Sequence, residues 1–234
     1  MLLLSILPSI ILFYIVWKGD RYEKEPPKLL IKLFIFGTLT TISASIIEIL
    51  GEDCIFASMD QQGMLFLLID NFLIVALSEE AGKYFVLKKV TWRHPAFNYT
   101  FDAIVYSVAV SLGFATLENI LYIFEYGIGV ALTRALFSVP GHVIDAIYMG
   151  YYYGLAKHAE AYNDMRLKKK YLKRAFFVPV LIHGFYDFCL SAEHWAFILM
   201  FFVFEIIITI VTIRKFLQLS KVAAVIPGQD TTAV

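Results

Sequence analysis

Seven apolar runs, each near the length that crosses a bilayer, follow one another through this 234-residue chain, at roughly 2–17, 29–50, 64–87, 102–125, 131–156, 175–192 and 195–216. About 20 helical residues, rising ~1.5 Å each, traverse the ~30 Å hydrocarbon layer. No water is available there, so every backbone group must be satisfied within its own helix. The runs therefore point to an all-α, polytopic membrane bundle of about seven transmembrane helices. Charged residues make up 17% of the chain, against ~25% in soluble domains.

Basic residues fall in alternate connections. Lys18, Arg21, Lys24, Lys28 and Lys32 flank the first gap, Lys83, Lys88, Lys89 and Arg93 the third, and "KHAEAYNDMRLKKKYLKR" fills the fifth. The tail adds Arg214, Lys215 and Lys221, whereas the connections near 51–63, 126–130 and 193–194 hold no Lys or Arg. Arg134, near the start of the fifth run, is the exception. Because basic loops stay cytoplasmic, the N-terminus is expected outside and the C-terminus inside. Trp17, Trp92 and Trp195 sit near run ends, as interfacial aromatic residues do. The first run lacks a basic leader and an A-x-A-like cleavage site, so it reads as a retained span. Balanced charge, 20 basic against 20 acidic residues, gives no reason to expect a nucleic-acid partner. One integral-membrane domain over 1–220 and a disordered cytoplasmic tail over 221–234 are expected. Cys54 and Cys189 are too few for a disulfide framework and read as unpaired.

Ionisable residues inside the runs are costly and mark function. The third run carries Asp70, Glu79, Glu80 and Lys83, the fourth Asp102 and Glu118 followed by Asn119, the fifth His142 and Asp145, and the sixth His183 and Asp187. Residues three or four apart share a helix face, which groups Glu79 with Lys83, His142 with Asp145, and His183 with Asp187. Glu79 and Glu80, being successive, diverge by about 100° and must have different neighbours. Each group alone has a plainer reading: Glu79–Lys83 as a neutralised pair, each histidine as a hydrogen-bonded packing residue. Two histidines and three glutamates on four successive runs outweigh it. Such a set suits a catalytic zinc with protein ligands and an open position, plus a carboxylate to move protons. Asp145 and Asp187 are placed to orient imidazoles. HExxH, GxSxG and a GxGD aspartyl pair are absent, and Ser138 before His142 is not enough for a serine nucleophile.

"EKEP" at 23–26, "SEEAGK" at 78–83, "FDAIVYSVAVSLGFATLEN" at 101–119, "VPGHVIDAIYMGYYYG" at 139–154 and "LIHGFYDF" at 181–188 together resemble the PrsW family of intramembrane metalloproteases. The resemblance runs from about residue 8 to about 215. It implies first-site cleavage of a single-span, membrane-anchored anti-sigma factor, begun from the outer side and leading to sigma-factor activation. It also implies that Glu79 and Glu80 are the paired glutamates and His183 the essential histidine, with Glu118 and His142 at other polar positions. The layout is similar to the wider CAAX prenyl protease group, which has a histidine where this chain has Glu118. Combined, residues and resemblance give these expectations: Glu79, Glu80 and His183 are catalytic, with Glu79 or Glu80 as base. Glu118, His142 and His183 bind a divalent metal, zinc by chemical preference. Lys83, Asn119, Asp145 and Asp187 position ligands or substrate. A proton- or ion-coupled transporter built on the same buried Glu and His residues is the alternative reading.

Glu79 lies about 22 Å from the outer end of its run and Glu118 about 24 Å from the inner end of its own, at ~1.5 Å per residue. Straight vertical helices would hold them more than a turn apart.

Overall fold

In the computed structural model, residues 2–56, 59–61 and 63–228 are described, the side chains of Leu2, Leu4, Ile55 and Phe56 excepted. Among them the chain forms seven helical rods. These are α1 (Leu2–Gly19), α2 (Pro27–Phe56), α3 (64–91), α4 (Asp102–Tyr126), α5 (Gly129–Ala161), α6 (Met165–Ser191) and α7 (Trp195–Leu219). Four of them, α2, α4, α5 and α7, are long and apolar enough by composition to cross a membrane. The others fall short for visible reasons. The stretch of apolar α1 with every side chain described is Ser5–Gly19, α3 carries Asp70, Glu79, Glu80 and Lys83, and the first half of α6 is basic from Arg166 to Arg174. That basic half makes α6 begin ten residues before its apolar run, where the Asp164 side chain accepts the Leu167 N–H as an N-cap.

α4 is the central rod. From Asp102 to Thr116 every one of its residues is buried, which a helix achieves only when neighbours surround it. It packs against α1, α2, α3 and α5. Small residues set the closest approach: a Cβ on Gly37 would lie 2.0 Å from the Val110 carbonyl oxygen, and one on Gly113 2.0 Å from that of Phe34. Thr38 Oγ1 meets both the Gly113 and Phe34 carbonyls at 3.0 Å, sealing the α2–α4 contact. Gly113→Ala is therefore expected to force the helices apart and cost about 1–3 kcal/mol. Thermal unfolding in detergent would read this as a fall of roughly 2–4 °C per kcal/mol. Gly129→Ala, where a Cβ meets open space, is the control that should leave melting unchanged.

Two rods contain a wide turn. α3 is π-helical over Asp70–Val75 and α5 over Arg134–Ser138. One extra residue per turn shifts the face that follows, and such bulges concentrate at functional sites. Asn71 bonds across the first of them, donating to the Leu67 carbonyl at 2.8 Å and accepting from Ser191 Oγ of α6 at 3.0 Å.

At the end of the bundle that carries the basic loops, three segments meet. Residues 20–26, residues 92–101 and the segment after α7 converge on the start of α4. Ile226 is 1% exposed and donates its N–H to the Asn98 carbonyl at 2.7 Å, and Thr100 N–H donates to Ala224 at 2.9 Å. Part of the tail expected to be disordered from 221 thus packs back, while 229–234 lie outside the described residues. Burial pushes the Asp20 carboxyl up to about 6. Burial, with Asp102 beside it, pushes Glu25 to about 10. Cys54 is exposed and Cys189 buried, and both are free thiols.

Candidate active site

After its π-helical turn, α3 delivers Ser78, Glu79, Glu80 and Lys83 within two turns. The ~100° step between successive residues separates the two glutamates. Glu79 lines a cleft of about 550 Å³, whereas Glu80 is 0% exposed and faces the bundle interior. Lys83 reaches back to both, its Nζ donating to Glu79 Oε2 at 3.0 Å and Glu80 Oε1 at 2.8 Å. It lies 4.0 Å from the Phe114 ring centre, a cation–π contact.

The same ammonium meets His142 Nδ1 of α5 at 3.2 Å. An ammonium only donates, so Nδ1 accepts and the His142 proton is assigned to Nε2, which faces Glu118 Oε2 at 2.8 Å. α6 contributes His183. Its Nδ1 is 3.0 Å from Glu80 Oε1, and its Nε2 is 3.0 Å from Asp187 Oδ2 and 3.8 Å from Glu79 Oε2. The two imidazoles lie edge to face, with ring centres 5.5 Å apart. Ser111 Oγ of α4 donates to the His142 carbonyl at 2.9 Å and fixes α5 against the central rod.

One donor atom from each of Glu79, Glu80, His142 and His183 lies within 4.8 Å of the others, and all four residues are buried. Zinc takes imidazole nitrogen and carboxylate oxygen at ~2.0–2.2 Å, so its ligands sit up to about 4 Å apart. Glu80 Oε2 and Asp145 Oδ1, both buried, have no protein partner. Donor types, spacing and unpartnered oxygens fit a metal ion. Lys83 meets the same acceptors, so an ion here requires its ammonium to give up at least one of them.

Glu118 stands outside this group of four. It sits across the His142 ring, 2.8 Å from Arg134 Nη2. Asn119 supports that arginine, accepting from Arg134 Nε at 3.1 Å while its own amide donates to the Ser5 carbonyl at 2.8 Å. The depth mismatch between Glu79 and Glu118 is thus bridged by the histidine between them. Asp145 lies 3.7 Å from His183 Nδ1, on another helix, rather than serving His142 one turn away. Asp187 does sit against the histidine of its own helix. Asp70 lines the cleft, but Asp102 belongs to the basic end, where its Oδ2 accepts the N–H groups of Asn98 and Tyr99.

Sequence reasoning missed two participants. Arg134 is the residue that stood alone among loops otherwise free of Lys and Arg, a signal that could have singled it out. Glu48, near the end of the second run, accepts from Ser78 Oγ at 3.1 Å and lines the cleft. The cleft is acidic, with Glu52, Asp70, Glu125, Asp187 and Glu205 also on its wall. Several of these sit at helix ends beside the connections that lack basic residues, so the cleft opens at that end of the bundle.

A family model described as PrsW family intramembrane metalloprotease matches residues 25–212. The chain is 36% identical to "Protease PrsW" of Geobacillus kaustophilus (strain HTA426), covering 82% of this chain and 81% of that protein. It is 37% identical to "Protease PrsW" of Clostridioides difficile (strain 630), covering 85% and 82%. With "Protease PrsW" of Bacillus subtilis (strain 168) it shares 34%, covering 84% and 85%. No solved structure matches. These likenesses favour peptide hydrolysis over coupled transport, and the chain belongs to the PrsW family of intramembrane metalloproteases.

Proposed function

We propose that this chain is a seven-span zinc endopeptidase of the bacterial plasma membrane, its N-terminus outside and its C-terminus in the cytoplasm, that makes the first cut in a single-span anti-sigma factor. The observation carrying this reading is the buried group Glu79, Glu80, His142 and His183, two members of which come from one helix and the others from two more. His142, His183 and a carboxylate hold the ion, and Glu118, outside the group of four, holds the His142 ring at Nε2. Zinc, when bound, supplies Lewis acidity toward water and the scissile carbonyl. Glu79, on the cleft wall, takes the water's proton and returns it to the leaving amine nitrogen. Asp187 holds the Nε2 side of the His183 ring, as a carboxylate behind a ligating imidazole does, which leaves Nδ1, beside Glu80, for the ion. Lys83 balances the paired glutamates, and Arg134 with Asn119 keeps Glu118 in place.

A cleft open at the end lacking basic residues suits a substrate approached from the outer side. Residues 1–220 act as one protease domain. The test is co-expression with candidate anti-sigma factors, followed by blotting for fragments. A shortened, membrane-associated fragment is expected with the wild-type chain and not with His183→Ala. Intact anti-sigma factors, alongside cleavage of an unrelated single-span protein, would overturn the substrate assignment.

A further inference from the structure

We propose a second metal site, separate from the first, in which Asp20, Glu25 and Asp102 bind a hard divalent cation of the Mg²⁺/Ca²⁺ class and clamp the α1–α2 loop onto the start of α4. One carboxylate oxygen from each of these residues lies within 4.8 Å of the other two. Ca²⁺ takes oxygen ligands at 2.3–2.6 Å, so oxygens of one ion lie up to about 5 Å apart, and Mg²⁺ at 2.0–2.1 Å needs only a modest contraction. The donor set is oxygen alone, which selects hard ions over zinc.

An acidic cluster by itself would say little. Here the residues are 2%, 3% and 1% exposed respectively, and two of the cluster's oxygens, Asp20 Oδ2 and Asp102 Oδ1, are buried with no partner. Asn98, whose N–H donates to Asp102 Oδ2 and whose side-chain amide donates to Glu23 Oε2, also has its own Oδ1 buried and unpartnered. Buried oxygens in native proteins are almost always satisfied, so such a concentration at one point calls for a ligand. No ion pair among the described residues engages any of the three carboxylates. Lys24, the adjacent cation, spends its Nζ on the backbone carbonyls of Trp17 and Asp20 and on the Trp17 ring, 4.5 Å from the ring centre. The Tyr106 hydroxyl contacts both Glu25 Oε2 and the Ala96 carbonyl, yet a phenol has one proton to give. A cation at the cluster supplies the missing positive charge. The rival source of that charge is protons alone.

The test uses full-length protein in detergent, stripped with EDTA and titrated with MnCl₂, free Mn²⁺ being read from its electron paramagnetic resonance signal. His183→Ala removes the first site's contribution. That protein is expected to retain one Mn²⁺ per chain with a Kd below about 1 mM, displaced by excess MgCl₂ or CaCl₂. Adding Asp20→Asn, or Glu25→Gln should the first variant not fold, is expected to remove it. At hundredfold excess over Kd the divalent ion should raise the melting temperature of His183→Ala by about 5–10 °C, an effect lost with Asp20→Asn. No Mn²⁺ bound to His183→Ala, which is the outcome if protons alone balance the cluster, would overturn the site. So would a count unchanged by both Asp20→Asn and Glu25→Gln.

Discussion

Glu79→Gln is expected to lower the rate of substrate cleavage by about 10²–10⁴-fold, the usual worth of a positioned general acid–base group. The substitution is nearly isosteric. The remaining carbonyl oxygen can still accept from Lys83 Nζ, now 3.0 Å from Glu79 Oε2, so the helix contacts survive. What is lost is the capacity to take and return a proton at the cleft wall. Metal content should stay at the wild-type level. Glu80→Gln is the informative contrast, because Glu80 faces away from the cleft and bonds Lys83 and His183. Its loss should weaken metal retention along with activity. Single-turnover cleavage assayed beside metal analysis separates the two. If Glu80→Gln keeps its metal and loses turnover while Glu79→Gln loses its metal, the roles of the two residues are reversed.

Lys83→Met is expected to destabilise the metal-free protein by about 3–5 kcal/mol, the cost of stripping a partner from a buried ionic group. Lys83 is 1% exposed and is the cation bonded to both paired glutamates. Methionine fills similar space and keeps the contact with Phe114, but leaves two carboxylates side by side with no counter-charge. A chain of this size should melt roughly 2–4 °C lower for each kcal/mol. A bound divalent ion would replace the missing charge, so the deficit should shrink once zinc is added. Thermal unfolding of wild type and Lys83→Met, each with EDTA and with zinc, reads both effects. Equal melting of the two EDTA-treated proteins would show that the ammonium is not what holds the glutamates.

The rods of the bundle were legible because a long apolar run is a simple statement of length and polarity. Six of the seven helix starts fall within two residues of the expected run starts, as at 102 for α4 and 195 for α7. α6 escaped at its start because residues 165–174 are helical through capping and solvated charge, not through an apolar pattern. The π-helical turns were invisible, since one wide turn barely alters a hydrophobic sequence while re-aiming all that follows. At the site, same-helix relations read correctly from spacing, as for Glu79 with Lys83 and His183 with Asp187. Between helices the convergence of the glutamates with His142 and His183 was also read, but finer relations were not. Asp145 turns to His183, and Glu118 meets the others only across His142, because helix rotation and depth are fixed by packing such as the Gly37–Gly113 approach.

The central claim is that side chains from three helices, α3, α5 and α6, jointly hold a metal ion within the bundle. Zinc content of the purified full-length protein measures this directly, by mass spectrometry of the protein as isolated and after reloading. One zinc per chain is expected in the wild type and in Glu79→Gln, falling to a small fraction in His142→Ala and His183→Ala with the fold retained. Wild-type protein that cleaves its substrate with no stoichiometric metal, or histidine variants that keep a full complement, would contradict the account.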